Sequence, residues 1–172
     1  MSSKAFGLTA YYDAMISNWF NNKLNIQFPE RKTIFGRKLK KLRYGENPHQ
    51  ESSIYINDYE DKKLGFTQIH GKELSYNNIN DADAALQLIK EFDKDTPSVA
   101  IIKHANPCGV ASGSSLCEAY MKAFSCDTTS AFGGIIALNQ TIDKETASEI
   151  IKIFTEVIIA PDVSDGAKEI FK

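Results

Sequence analysis

The sequence predicts an α/β fold, a parallel-sheet core with flanking helices preceded by a helical segment. Three observations carry that prediction. Val99 to Ile102 is an unbroken apolar run, β-branched at all but Ala100, as suits a strand covered on both faces. Two further apolar runs, Ile135 to Leu138 and Glu156 to Pro161, follow at intervals filled by stretches of helical period. Strand, helix, strand, helix, strand with right-handed crossovers then implies parallel strands with helices packed on them.

Taken in order, residues 4 to 24 carry Leu8, Tyr11 or Tyr12, Met15 and Trp19 near a helical period, giving a helix with a very aromatic face that needs a covering surface. Pro29 then stops any helix, and the basic stretch Arg31, Lys32, Arg37, Lys38, Lys40 and Lys41 reads as a solvated linker. Leu42 to Gln50 is dense in hydrogen-bonding side chains and punctuated by Gly45 and Pro48, before a strand-like Ser53 to Ile56. Within it, Arg43 presents a planar fork suited to a phosphate or carboxylate.

Residues 71 to 93 open with an Asn-rich turn and continue as a helix with Ala82, Ala85, Leu86, Ile89 and Phe92 on one face and Asn80 or Asp81 as N-cap. The polar group Tyr76-Asn77-Asn78 fits either turn formation or ligand contact. Ser115 with Glu118 reads as a capping box for a helix to about Phe124, and Gly109 and Gly113 before it are a weak anion-loop signal, since neither the P-loop ending nor the dinucleotide spacing is present. Asp143 should cap a helix to about Phe154, and a short helix should begin near Ser164. With no closing element after Lys172, three apolar strands need more sheet beside them, so the chain is expected to be part of a longer protein.

Composition narrows the function. The chain has 172 residues, 42% of them hydrophobic, enough for a core, and its formal net charge of -2 argues against a nucleic-acid or membrane surface while permitting a local cationic site. No run is long and apolar enough for a bilayer span or an export signal. Cys108, Cys117 and Cys126 are odd in number, and their regular spacing fits no zinc pattern. A reducing cytoplasm and structural or incidental thiols are the expectation. The first apolar strand ends in Lys103 and His104, a cationic amine and the side chain that titrates nearest neutrality, at the carboxyl edge where open α/β sheets collect ligands.

Five motifs in order, Arg43-Tyr44-Gly45-Glu46-Asn47-Pro48-His49-Gln50, Ser75-Tyr76-Asn77-Asn78, Lys103-His104-Ala105-Asn106-Pro107-Cys108-Gly109, Ser130-Ala131-Phe132-Gly133-Gly134 and Val157-Ile158-Ile159-Ala160-Pro161, resemble the bifunctional purine-biosynthesis family that joins aminoimidazole-carboxamide ribonucleotide (AICAR) formyltransferase to IMP cyclohydrolase. The resemblance implies that residues 1–28 are the helical tail of the cyclohydrolase domain, 29–41 a linker, and 42–172 the first part of a formyltransferase domain with a cytidine-deaminase-like fold. It implies formyl transfer from 10-formyltetrahydrofolate to the 5-amino group of AICAR, with no metal. His104 is then the proton-transferring catalytic residue and Lys103 the catalytic cation that stabilises the transition state or protonates the leaving folate nitrogen, Arg43, Tyr44, His104, Gly133 and Glu156 contact the nucleotide, and Phe132 lies near the folate. The cyclohydrolase residues and the rest of the formyltransferase site would lie outside this chain, which alone should be inactive. A homodimer is implied for the full-length protein.

Two other classes compete. A zinc deaminase is prompted by His104 followed by Pro107-Cys108, yet its signature wants a Glu where Asn106 stands and a second Cys where Ala111 stands. A segment that only binds or dimerises is the other. Formyl transfer by a longer form, set against none by this chain, separates the enzyme reading from that one.

Overall fold

Val99, Ala100, Ile101 and Ile102 are each at most 1% exposed, and the computed structural model, which describes residues 1–57 and 66–172, shows what covers them. The described elements run α1 (Ser2–Lys23), β1 (Arg37–Lys41), β2 (Ser53–Ile56), α2 (Tyr76–Lys90), β3 (Ser98–Lys103), β4 (Asn106–Ser112), α3 (Leu116–Cys126), β5 (Ile135–Leu138), α4 (Lys144–Ile150), β6 (Val157–Ile159) and α5 (Asp165–Phe171). Strands β4-β3-β5-β6 form one sheet in that order, and β1-β2 form a separate antiparallel pair.

Alternate side chains of β3 enter two different cores, as the strand pleat dictates. Val99 and Ile101 join Ile136, Leu138, Tyr120, Ile142 and Ile150 on the α3, α4 and α5 face, whereas Ala100 and Ile102 join Ile135, Ala85 and Ile89 under α2. A sheet sandwiched in this way explains the continuous apolar runs. Each buried isoleucine here contributes about 1.5–3 kcal/mol by leaving water.

Strand direction corrects the expected parallel core. Strand β3 pairs antiparallel with both β4 and β5, and only β5 and β6 are parallel. The cause is β4: the stretch from Asn106, read in the sequence as a turn, folds back on β3 as a strand. The crossover through α3 therefore makes β5 parallel to β4, with β3 inserted between them. Pro107 is tolerated because β4 is an edge strand. Gly109 is needed because a Cβ there would lie 1.9 Å from the Ala123 carbonyl oxygen of α3. Its role is close packing inside a strand rather than an anion loop. A register shift leaves Cys108 as a bulge between Pro107 and Gly109, close to the turn.

Several boundaries also move. The N-cap of α2 is Ser75 rather than Asn80 or Asp81: Ser75 and Asn78 satisfy each other's backbone N–H groups in a capping box. Helix α3 is capped by Ser115 as expected, but the Glu118 carboxylate reaches back to Ser114 instead. Asp143 and Ser164 cap α4 and α5, and α4 stops at Ile150, short of Phe154. The stretch read as a linker ends in a strand, β1, which pairs with β2.

Helix α1 buries only Ala14. Tyr11 meets the Phe35 ring edge-on at 5.5 Å, and the Asn18 side-chain amide donates to the Thr33 hydroxyl at 2.8 Å, but Phe6, Leu8, Tyr12 and Phe20 remain exposed.

Candidate functional site

The β3–β4 hairpin is closed by His104 and Ala105, between the paired Lys103 and Asn106. Both have positive φ, 53° and 57°, the backbone of a type I′ hairpin turn that Asn and Gly usually supply. For residues bearing a Cβ and no special local fit, that conformation costs on the order of 1–2 kcal/mol each. Three hydrogen bonds hold it. The Asp81 carboxylate of α2 accepts the His104 N–H at 3.0 Å and the Ala105 N–H at 2.9 Å, and the Asn106 side-chain amide donates to the His104 carbonyl at 2.8 Å. The His104 residue is exposed.

Because β3 runs against β5 and β6, its carboxyl end lies beside their amino ends, with Ile102 opposite Ile135 and Ile135 opposite Val157. The expected carboxyl edge thus holds for β3 alone. The same geometry brings the 130–134 loop and Glu156 to the end of β3. Half-buried Lys103 donates from Nζ to the Phe132 carbonyl at 2.8 Å, fixing the ammonium across the mouth of that loop. Gly133 has φ 72° and donates its N–H to the Phe154 carbonyl at 2.8 Å, a backbone for which glycine is the natural choice. Phe132 projects outward, 58% exposed, with the Phe154 ring 5.7 Å away.

The loop is held from behind by Asp127, whose carboxylate accepts the Thr129 and Ser130 N–H groups at 3.1 and 2.9 Å. Hydrogen bonds from Ser130 hold that carboxyl below the usual aspartate range, with the Thr129 N–H and the Lys103 charge adding to the effect.

On the other side of the edge, Arg43 lays its guanidinium over the Tyr44 ring at 4.8 Å and donates to the Tyr44 hydroxyl at 3.2 Å. Backbone bonds from Arg43 N–H to Leu74 and from Tyr76 N–H to Tyr44 tie this loop to the start of α2. The Asn77 side-chain amide adds a bond to the Glu46 carbonyl at 2.9 Å, and the Asn78 side-chain amide donates to the Glu156 carboxylate.

The first two turns of α2 therefore hold three parts of the candidate site: Tyr76 holds the Arg43–Tyr44 loop, Asn78 holds Glu156, and Asp81 holds the His104 turn. Sequence reading gathers Lys103, His104, Arg43, Tyr44, Phe132, Gly133 and Glu156, and the structure ties all seven together through these bonds. It misses Asp81, taken for a cap, and leaves Asn78 undecided. The three-residue step from Asn78 to Asp81, which sets both on one helix face, is the signal that could have found them.

Burial pushes the Cys108 thiol above its ordinary value, with Asp127 adding and Lys103 opposing, and burial does the same to Cys117 beside Glu145. Neither is an activated nucleophile. Among the described residues no group of three or more His, Cys, Asp and Glu is arranged to hold a metal ion, and no helix is long and apolar enough to cross a membrane. Two hollows lie elsewhere, about 330 Å³ at the end of α1 near Asn21 and Asn25, and about 460 Å³ between Lys40 and His70. Neither gathers the titratable groups described above.

The family model described as the AICARFT/IMPCHase bienzyme matches residues 1–172. The chain is 58% identical over 174 residues to the bifunctional purine biosynthesis protein PurH of Rhizobium johnstonii, covering 99% of this chain and 32% of that protein. It is 56% identical over 173 residues to the protein of the same description in Agrobacterium fabrum and 57% identical over 171 residues to that of Bradyrhizobium diazoefficiens, again spanning 32% of each. The chain thus spans about a third of the length of these relatives.

Proposed function

As the chain belongs to the AICARFT/IMPCHase bienzyme family, we propose that it forms part of a purine-biosynthesis enzyme and carries one side of the site that moves a formyl group from 10-formyltetrahydrofolate to the 5-amino group of AICAR. The observation that carries this reading is the convergence of Lys103, His104, Phe132 and Glu156 on one edge of the sheet, with His104 held outward on a turn of positive φ.

The amine of AICAR is conjugated into its ring and is a weak nucleophile. His104 removes its proton as the nitrogen attacks the formyl carbon, a role that contributes roughly 10²–10⁴-fold. The bond from the formyl carbon to the folate nitrogen then breaks, and that nitrogen takes up the proton His104 had removed, which returns the imidazole to its starting form. Lys103, anchored on the Phe132 carbonyl, presents a fixed positive charge to the oxygen on which negative charge gathers. Arg43, already stacked on Tyr44, offers a preformed fork to the nucleotide phosphate. Glu156, oriented by Asn78, and the backbone at Gly133 complete this side of the nucleotide pocket. The exposed Phe132 ring beside Phe154 fits the flat aromatic part of a folate.

In this reading residues 1–28 belong to the end of a cyclohydrolase domain, 29–41 link the two, and 42–172 begin a formyltransferase domain of cytidine-deaminase-like fold. The intact enzyme is a cytoplasmic homodimer, and the remaining walls of the site come from outside these residues. The test is a formyl-transfer assay on the intact protein with both substrates. Transfer to AICAR is expected, and an intact protein that ignores AICAR while formylating a different amine would overturn the proposal.

A further inference from the structure

We infer that Asp81 is the positioning residue for the His104 imidazole, an inference that rests on the catalytic role proposed for His104. Two successive residues with a Cβ and positive φ form the turn, and Ala105 is not of the type that adopts it readily. Asp81 is half-buried on α2, and its two oxygens each take one N–H of that turn, at 3.0 and 2.9 Å. A carboxylate is the one short side chain able to accept both bonds at once, because an asparagine offers a single acceptor and turns its own amide protons against the second N–H. The turn also has a second brace, the Asn106 amide on the His104 carbonyl, but that bond joins two residues of the same hairpin. Asp81 is what fixes the turn relative to α2, whose other residues hold Glu156 and the Arg43–Tyr44 loop. The imidazole and the nucleotide contacts are thereby referred to one helix.

The consequence is specific to kcat. Losing the clamp leaves the nucleotide contacts in place and lets the imidazole wander from the reacting amine, and a misplacement of about 1 Å costs roughly 10²-fold in rate. In the intact protein, Asp81→Ala is expected to lower kcat by about that factor with the KM for AICAR unchanged. Asp81→Asn should fall with it, although it preserves size. Ala105→Gly in the Asp81→Ala background relieves the turn strain and should recover part of kcat, whereas Gly7→Ala, on the far helix α1, should recover none. Amide exchange at His104 and Ala105 should accelerate in Asp81→Ala and slow again in the Ala105→Gly double variant.

Four outcomes decide the matter. A selective kcat loss with partial rescue supports the inference. Full turnover in Asp81→Ala, with His104→Ala inactive, overturns it and leaves the proposed function standing. Equal loss in kcat and in AICAR binding, without rescue, makes Asp81 a general structural residue and also overturns it. Full turnover in His104→Ala removes the proposed function and the inference together.

Discussion

Gly109→Ala is the substitution for which the structure fixes the magnitude most tightly. The added Cβ would sit 1.9 Å from the Ala123 carbonyl oxygen, 2.9 Å from its carbon and 3.0 Å from the Cys126 Cβ, so α3 and β4 must separate until the first distance reaches at least 3.4 Å. The obstacle is a helix backbone, which cannot swing aside as a side chain does. Overpacking of this kind costs about 1–3 kcal/mol, and the upper end applies here. At about 2–4 °C per kcal/mol for a chain of this length, the melting temperature should drop by roughly 6–12 °C. The matched control is Gly7→Ala, in the middle of α1 with nothing within 4 Å of the new Cβ, which should gain up to about 1 kcal/mol from helix propensity. The assay is thermal unfolding followed by far-ultraviolet circular dichroism. A Gly109→Ala melt within about 2 °C of the parent would refute the close approach of α3 to β4 and the edge-strand reading of residues 106–112.

Further expectations concern caps, acid stability and activity. Ser75→Ala removes the α2 cap and should cost about 1 kcal/mol in denaturant unfolding, with weaker AICAR binding in the intact protein because the Asn78 side chain, oriented toward Glu156, keeps the residue-75 N–H but loses the Ser75 hydroxyl. Bonds from Lys122 and Ser114 hold the Glu118 carboxyl down from 4.5 to about 2. A depressed carboxylate stabilises the fold fully above its unfolded value and loses that stabilisation as the pH falls through its folded one. Glu118→Gln should therefore flatten the acid limb of the stability curve between about pH 4.5 and pH 2, seen by urea titration at each pH. The 172-residue chain by itself should show no formyl transfer, because a one-sided site leaves the reactants in water; turnover within about tenfold of the intact protein would contradict this.

The elements most legible in sequence were those whose pattern and packing agree. Ile101 and Ile102, buried on opposite faces of a sandwiched sheet, belong to an unmistakable apolar run, and Asp143 and Ser164 sit where a cap is expected. Strand β4 was hidden because Pro107 and Gly109 are strand-depleted types: one is tolerated at a sheet edge, the other demanded by α3, and neither reason is local. Missing β4 reversed the direction assigned to β5 relative to β3. The Ser75 cap was hidden because its partner is Asn78 rather than Glu or Gln, which displaced the helix start and turned Asp81 into a supposed cap. Lys103 and His104 were legible as a chemically loaded strand end. The clamp on His104 was not, since it joins residues 23 apart through backbone N–H groups that carry no sequence signature.

In this reading His104 transfers the proton in formyl transfer, while Arg43, Tyr44, Gly133 and Glu156 supply most of the hold on the nucleotide. Comparing His104→Ala with the parent intact protein, by AICAR titration and by single-turnover formylation with both substrates saturating, tests it most directly. A rate lowered by roughly 10²–10⁴-fold is expected, with a far smaller loss of AICAR affinity. An affinity loss that matches the rate loss, or a rate close to that of the parent, would contradict it.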